Sequence, residues 1–270
     1  MFRLTREVRF AINPGPEDQL GGRPSNGYGG FPSMRGIGCY LALRATVSGA
    51  LNTSSQYLVN IKQIDATVRE HGIPFIRERV LQDGALPAEA GSPAVLVAEL
   101  LPRLKPDAPG VVLEELALMV SPFLSYGCRT SELPMVRLSQ KFEFSATHRL
   151  HNPKLSDDEN CRIYGKCNNP NGHGHNYEVQ VTLRGVPDGS GVLVDVPAFE
   201  RVVGEAVIDR LDHKNLNVEV TEFRDGLIPS VENIAMVIYR LLKPKFEGQR
   251  ARLASVTVWE TPKTWCEYAE

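Results

Sequence analysis

Short runs of alternating apolar and polar residues occur in both halves of this chain, each bounded by Pro, Gly or Asn. Alternation sends successive side chains to opposite faces of a sheet, so these runs predict strands covered on one side. In the first half the predicted strands are residues 7–13, Tyr40–Val47, Tyr57–Ile61 and Val112–Val120, the last ended by Pro122. Helical spacing puts Ile64, Thr67, Val68 and His71 on one side of Gln63–His71, and a second helix is predicted over Ala94–Leu104, stopped by Pro106. Residues 14–36 and Gly84–Gly91 read as loops, and 121–138 as a linker without clear periodicity.

The same order then recurs. Strands are predicted over Lys141–Ala146, Tyr177–Arg184, Gly191–Val196 and Ala254–Trp259, with a long loop over 151–172. Helices are predicted over Ala198–Leu211 and Ser230–Leu242, the second capped by Ser230 and closed by Pro244. Several stretches align residue by residue: Gly36 to Gly49 with Gly172 to Gly185, Leu58–Ile61 with Leu193–Val196, and Leu118–Pro122 with Val258–Pro262. The chain therefore reads as a duplicated domain: a first unit over 1–122, a linker over 123–138 and a second unit over 139–270.

Composition narrows the class. With 270 residues, 42% hydrophobic and 23% charged, the chain has the profile of an ordinary globular protein of two domains. A net charge of −2 gives no electrostatic case for nucleic acid. No apolar run has the length of a signal peptide core or a membrane span. The five cysteines are odd in number and irregularly spaced, which favours reduced thiols and a cytoplasmic setting over a disulfide framework.

The chemistry concentrates in the second half, which holds five of the six histidines. Gly165-Lys-Cys-Asn-Asn-Pro-Asn-Gly-His-Gly-His-Asn-Tyr177 carries Cys167 on a turn-rich stretch and His173 and His175 at the start of a strand. Residues two apart on a strand face the same way, so both imidazoles can point at one object, and Gly174 between them leaves room for close approach. His148, at the end of the preceding strand, is the natural third ligand, because a catalytic zinc takes three protein ligands and keeps a position open. His151, where the long loop begins, reads as a spectator. Cys167 beside Lys166 reads either as an inert buried thiol or as a base or nucleophile, since a nearby cation or metal lowers a thiol's pKa. Cys161 has no such surroundings. Asp212 and His213 form either a solvated pair or an acid–base relay. Glu260, at a strand end, is either solvated or a bidentate acceptor for the N–H edge of a heterocycle. Glu232 in the first turn of the last helix suits the helix N-terminus, with a ligand role as the lesser reading. At the matching first-half positions stand Ile37, Cys39, about Phe31 and Val120 in place of His173, His175, Cys167 and Glu260, so the first unit is expected to be non-catalytic.

Together Phe144-Ser-Ala-Thr-His-Arg-Leu150, the Tyr164–Tyr177 stretch, Leu211-Asp-His-Lys-Asn-Leu216, Ser230-Val-Glu-Asn-Ile-Ala235 and Val258-Trp-Glu-Thr261 resemble the 6-pyruvoyl and 6-carboxy tetrahydropterin synthase family over about residues 140–270. The gap from Cys167 to His173 looks like that of the pyruvoyl branch. The resemblance implies an α+β fold of tandem tunnelling-fold units, each an antiparallel four-stranded sheet with two helices on one face. It also implies a homo-oligomeric barrel, with a trimer as one way to supply six units, and active sites between units. It implies Zn²⁺ on His148, His173 and His175, proton transfer by Cys167, Asp212 and His213, and pterin binding by Glu260 and Glu232. The expected activity is a lyase acting on 7,8-dihydroneopterin triphosphate, releasing triphosphate and leaving a 6-pyruvoyl product. Two alternatives stay open: an enzyme of the 6-carboxy type, and a zinc-bearing pterin-binding scaffold that does no chemistry.

Overall fold

A computed structural model describes residues 1–15, 34, 36–81, 92–106 and 108–270. The expected loop over Gly84–Gly91, most of the loop over 14–36 and the position of Phe31 lie outside the described residues. The chain divides into two compact units, Met1–Leu138 with Gly185–Leu193, and Ser139–Arg184 with Val194–Glu270.

In the first unit the strands are β1 (Phe2–Ile12), β2 (Cys39–Gly49), β3 (Val112–Met119) and β4 (Leu124–Arg129), antiparallel in that order. Helices α1 (Ile61–Thr67), α2 (Ile73–Val80) and α3 (Pro93–Leu100) join β2 to β3, and a π-helical turn over Val68–Gly72 links α1 to α2. The core lies between helices and sheet, where Ile12, Leu43, Ile76, Leu100, Leu116 and Leu118 are fully buried. Two expectations fail here. Tyr57–Ile61 is no strand, because Asn60 and Gln63 form a capping box that starts α1 at Ile61 and so overrides a β-prone run. Residues 123–138 are no linker, because they hold β4, paired to β3 from Ser125 to Arg129, and the start of the next strand. The loop at 185–193 also belongs with this unit rather than with the second: Ser92 Oγ donates to the Gly191 carbonyl, and at φ 84° Gly191 approaches Val95 so closely that a Cβ would collide with it.

The second unit contains β5 (Val136–His148), α4 (Asp157–Tyr164), β6 (His173–Gly185), α5 (Val196–Val203), α6 (Asp209–Leu211), β7 (Lys214–Asn215), α7 (Leu216–Glu219), α8 (Thr221–Arg224), α9 (Val231–Phe246), β8 (Ala251–Thr261) and β9 (Thr264–Tyr268). Its strands neighbour one another in the order β5-β6-β8-β9, while β7 pairs in parallel with β5 through Ala146 and Thr147. Tyr177, Val179, Val181 and Leu183 on β6 are fully buried, as are Ile234, Ile238 and Leu242 on α9. The loop expected over 151–172 contains α4, started by a Ser156–Glu159 capping box, and a 3₁₀ turn over Gly165–Asn168. Gly191–Val196 is no strand, because Asp195 caps α5 with its side chain on the Ala198 amide. Pro244 does not close α9 at Leu242. The helix runs on to Phe246, which is buried, so the proline is carried within the last turn. The hairpin strand β9 escaped the sequence pattern because it is short and half exposed. Among the described residues no helix is long and apolar enough to cross a membrane.

Candidate active site

β5, β6 and β8 carry the site on the face that also bears the core. His148 ends β5 on the same side as buried Phe144 and Ala146, and only 1% of it is exposed. His173 and His175 open β6 on the side of Tyr177. The close approach expected at Gly174 is not what the structure shows: a Cβ there would meet Thr147 Cγ2 at 3.4 Å and the Ala146 carbonyl on β5 at 3.5 Å, ordinary contact distances. Ligand atoms of His148, His173 and His175 all lie within 4.8 Å of one another, and Nε2 of His148 is 3.2 Å from Nε2 of His173.

The imidazole of His148 is held in one tautomer. Its Nδ1 lies 2.7 Å from the Pro229 carbonyl oxygen, which can only accept, so Nδ1 carries the proton. The neutral ring then directs a lone pair from Nε2 into the cluster. Burial pushes the pKa values of His148 and His175 below the ordinary histidine value and keeps both neutral, with Glu260 opposing the shift. Glu260 Oε1 stands 3.4 Å from His148 Nε2 and 3.7 Å from His175 Nε2. His175 Nε2 is buried without a hydrogen-bond partner. Lone pairs and a carboxylate converging on one point repel unless a proton or a cation lies between them. Three imidazoles suit a divalent transition metal, and separations near 3.2 Å are those of neighbouring ligands on a tetrahedral ion with roughly 2.0 Å bonds. The donor set therefore fits a metal, though three imidazoles suit several.

Cys167 lies on the 3₁₀ turn, half-buried, with its carbonyl accepting from the Leu150 amide. Burial pushes the Tyr177 hydroxyl pKa up, and the charges of Glu260 and Cys167 add to this, which puts both groups in the electrostatic neighbourhood of a hydroxyl 3.4 Å from His148 Nδ1. Asp212 accepts from the Ser145 amide at 2.8 Å and from His213 Nδ1 at 2.7 Å, and the first of these chiefly holds its carboxyl below the usual range. His213 sits at φ 56° with its own amide on the Ser145 carbonyl, and its side chain is 83% exposed. The ring faces an open cleft of 520 Å³ that His175, Ser145 and Lys214 also line.

The structure thus brings His148, His173, His175 and Glu260 together, with Cys167 on the turn that leads into β6. It does not join Cys167 to Asp212–His213: among the described residues no hydrogen bond links them. Glu232 is exposed in the first turn of α9 and makes no hydrogen bond among the described residues. His151, expected to be a spectator, donates from Nδ1 to Asn168 Oδ1 at 3.0 Å. Sequence reasoning missed the Pro229 carbonyl and the Tyr177 hydroxyl. Only the position of Pro229, just before the Ser230 cap, hinted at a carbonyl fixed by its surroundings.

The sequence profile of the family "6-pyruvoyl tetrahydropterin synthase" matches residues 137–270. A Caenorhabditis elegans protein named putative 6-pyruvoyl tetrahydrobiopterin synthase is 42% identical over 137 residues, covering 50% of this chain and 96% of its own. The Drosophila melanogaster 6-pyruvoyl tetrahydrobiopterin synthase is 40% identical over 140 residues, covering 51% and 82%. The solved structure of the Caenorhabditis elegans 6-pyruvoyl tetrahydropterin synthase aligns with 51% of this chain and 96% of its own at 40% identity and a TM-score of 0.48.

Proposed function

This chain belongs to the 6-pyruvoyl tetrahydropterin synthase family, and from that premise we propose that it converts 7,8-dihydroneopterin triphosphate to 6-pyruvoyl tetrahydropterin, eliminating triphosphate. The observation that supports the reading most directly is the convergence of His148, His173 and His175 on one point beside Glu260, with Cys167 on the adjoining turn.

In this reading His148, His173 and His175 hold Zn²⁺. When bound, the ion supplies Lewis acidity that polarises the oxygens of the substrate side chain and eases loss of neighbouring protons. The chain's own groups do the rest. The Pro229 carbonyl fixes the His148 ring with Nε2 inward. Cys167 Sγ takes and returns protons between the pterin ring and its side chain. Asp212 holds the Nδ1 proton of His213, so that Nε2 faces the cleft as the atom that exchanges protons. The side-chain carbon–oxygen bond to triphosphate breaks, and the side chain tautomerises to the diketone. Glu260 grips the amino-pyrimidine edge with two N–H acceptor contacts, and Glu232 adds a further acceptor. Cys167 and the Asp212–His213 pair meet between units, the neighbour being another copy of the chain or the other half of this one, in a homo-oligomer that works in the cytoplasm.

We further infer that residues 1–122 are a degenerate, non-catalytic copy of the unit over 139–270. Side-chain pairs at matching positions support this. Thr5 and Thr46 share a hydrogen bond on the first pair of strands, as Ser139 and Thr182 do on the second. Arg6 reaches Asp65 on α1, and Gln140 reaches Glu200 on α5. Asn60 and Asp195 both cap those helices, and π-helical turns follow over Val68–Gly72 and Gly204–Ile208. Ile37, where His173 has its counterpart, is 91% exposed and offers no ligand.

The test is mass spectrometry of products when zinc-loaded protein meets 7,8-dihydroneopterin triphosphate. The expected outcome is a 6-pyruvoyl product with released triphosphate, and its loss in Cys167→Ala with zinc retained. A 6-carboxy product would move the protein to the other branch. Unchanged substrate with sound zinc content would favour a binding scaffold.

A further inference from the structure

The three residues that follow His148 are built into the turn carrying Cys167. Leu150 donates its amide to the Cys167 carbonyl at 2.9 Å. Arg149 forks onto the next residue: Nε donates to the Asn168 carbonyl and Nη2 to Asn168 Oδ1, each at 3.0 Å. His151 donates to the same Oδ1. Asn168 is buried, and its remaining donor, Nδ2, points at Cys161 Sγ at 3.6 Å. The backbone of Arg149 is itself gripped on both sides by one amide. Its N–H donates to Asn217 Oδ1 at 2.7 Å, and its carbonyl accepts from Asn217 Nδ2 at 3.0 Å. Asn217 lies on α7, directly after the β7 segment that Asp212 and His213 introduce.

The use of a guanidinium here is unusual. Among the described residues Arg149 forms no ion pair, so its fork is satisfied by an amide side chain and a backbone carbonyl. A planar fork with two parallel donors fixes direction as well as distance, which a lysine's single point charge cannot do. The outcome is one hydrogen-bonded chain, Asn217–Arg149–Asn168, that starts beside the Asp212–His213 segment, passes the metal-ligand strand one residue beyond His148, and ends next to Cys167.

We infer that Arg149 and Asn217 form a positioning clamp that sets the Cys167 thiol relative to the histidine trio, with Asn168 as the point where the clamp bites. The clamp touches neither substrate nor metal; it acts through the Cys167 turn. For the rate effect alone, the inference rests on the proton-transfer role proposed for Cys167.

The experiment compares wild-type, Arg149→Lys and Asn217→Ala proteins by peptide mapping of iodoacetamide labelling, metal content and steady-state kinetics. Labelling is expected to change at least about fivefold at Cys167 in both variants. Cys266 should keep its rate, and Cys128, whose thiol burial pushes up to about 12, should stay unlabelled. A misplacement of about 1 Å predicts a fall in kcat of about 10- to 100-fold with KM and metal content unchanged. Because Arg149→Lys keeps the charge, its failure to rescue separates the fork from simple electrostatics. Asn217→Ala leaves the guanidinium in place and tests the same clamp if the Arg149 variant does not fold. Wild-type labelling of Cys167 in the folded variants would overturn the clamp, as would equal changes at every cysteine. Altered Cys167 labelling in a protein that shows no turnover would keep the clamp and remove the lyase reading.

Discussion

At the scale of single residues, the site is decided by which atom of each side chain is already engaged. His148 is placed to act as a ligand rather than as a surface histidine: it is buried, and its Nδ1–H donates to the Pro229 carbonyl, which leaves the Nε2 lone pair to face its neighbours. The other case is Asp212, whose carboxyl is held low chiefly by the Ser145 amide and then by His213. A carboxyl depressed in the folded state contributes stability above its unfolded value and loses it as pH falls through the folded one. The Asp212 anchor is therefore expected to be intact at pH 5 and to release only below the ordinary value of about 3.9. Hydrogen exchange at the Ser145 amide, followed against pH, checks this. Loss of protection already between pH 5 and 6 would mean that another group titrates the anchor.

At the scale of elements, capping explains most of what the hydrophobic pattern misread. Leu58–Ile61 and Leu193–Val196 look like strands by composition, but Asn60 and Asp195 turn each into the start of a helix. The loop that leads into β6 depends on a similar local rule. Gly172 sits at φ 72°, and a Cβ there would lie 3.0 Å from the His148 carbonyl. Gly172→Ala should cost about 1–2 kcal/mol in urea unfolding through its left-handed backbone. It should also weaken metal binding about tenfold by displacing the strand end that bears a ligand. Unchanged metal affinity would separate the turn from the site.

For the whole molecule, the ligand count sets a stoichiometry. The described residues contain one trio of side chains that could hold a metal, in the second unit, while the first offers Ile37 and Cys39 at the equivalent positions. Plasma mass spectrometry of the intact chain should therefore find one metal per chain, falling to near zero in His148→Ala with the circular dichroism of the fold retained. Two metals per chain would refute a degenerate first unit.

That His173 and His175 share a face and that His148 ends the neighbouring strand could be read from the sequence alone, because strand periodicity fixes which side chains share a face. The helices that begin near α1, α3, α5 and α9 and most strands were legible from their apolar periodicity. The hairpin strand β9, the strand β4 inside an apparent linker and the helix α4 inside an apparent loop were not: β9 and β4 are short hairpin partners of β8 and β3 with little buried surface of their own, and α4 rests on a local Ser156–Glu159 capping box rather than on an apolar stripe. Tertiary structure alone decided that Glu260 stands beside the trio, that a backbone carbonyl from before α9 selects the His148 tautomer, and that Arg149 spends its fork on the turn of Cys167. Periodicity tells which way a side chain points; only the packed chain tells what it meets there.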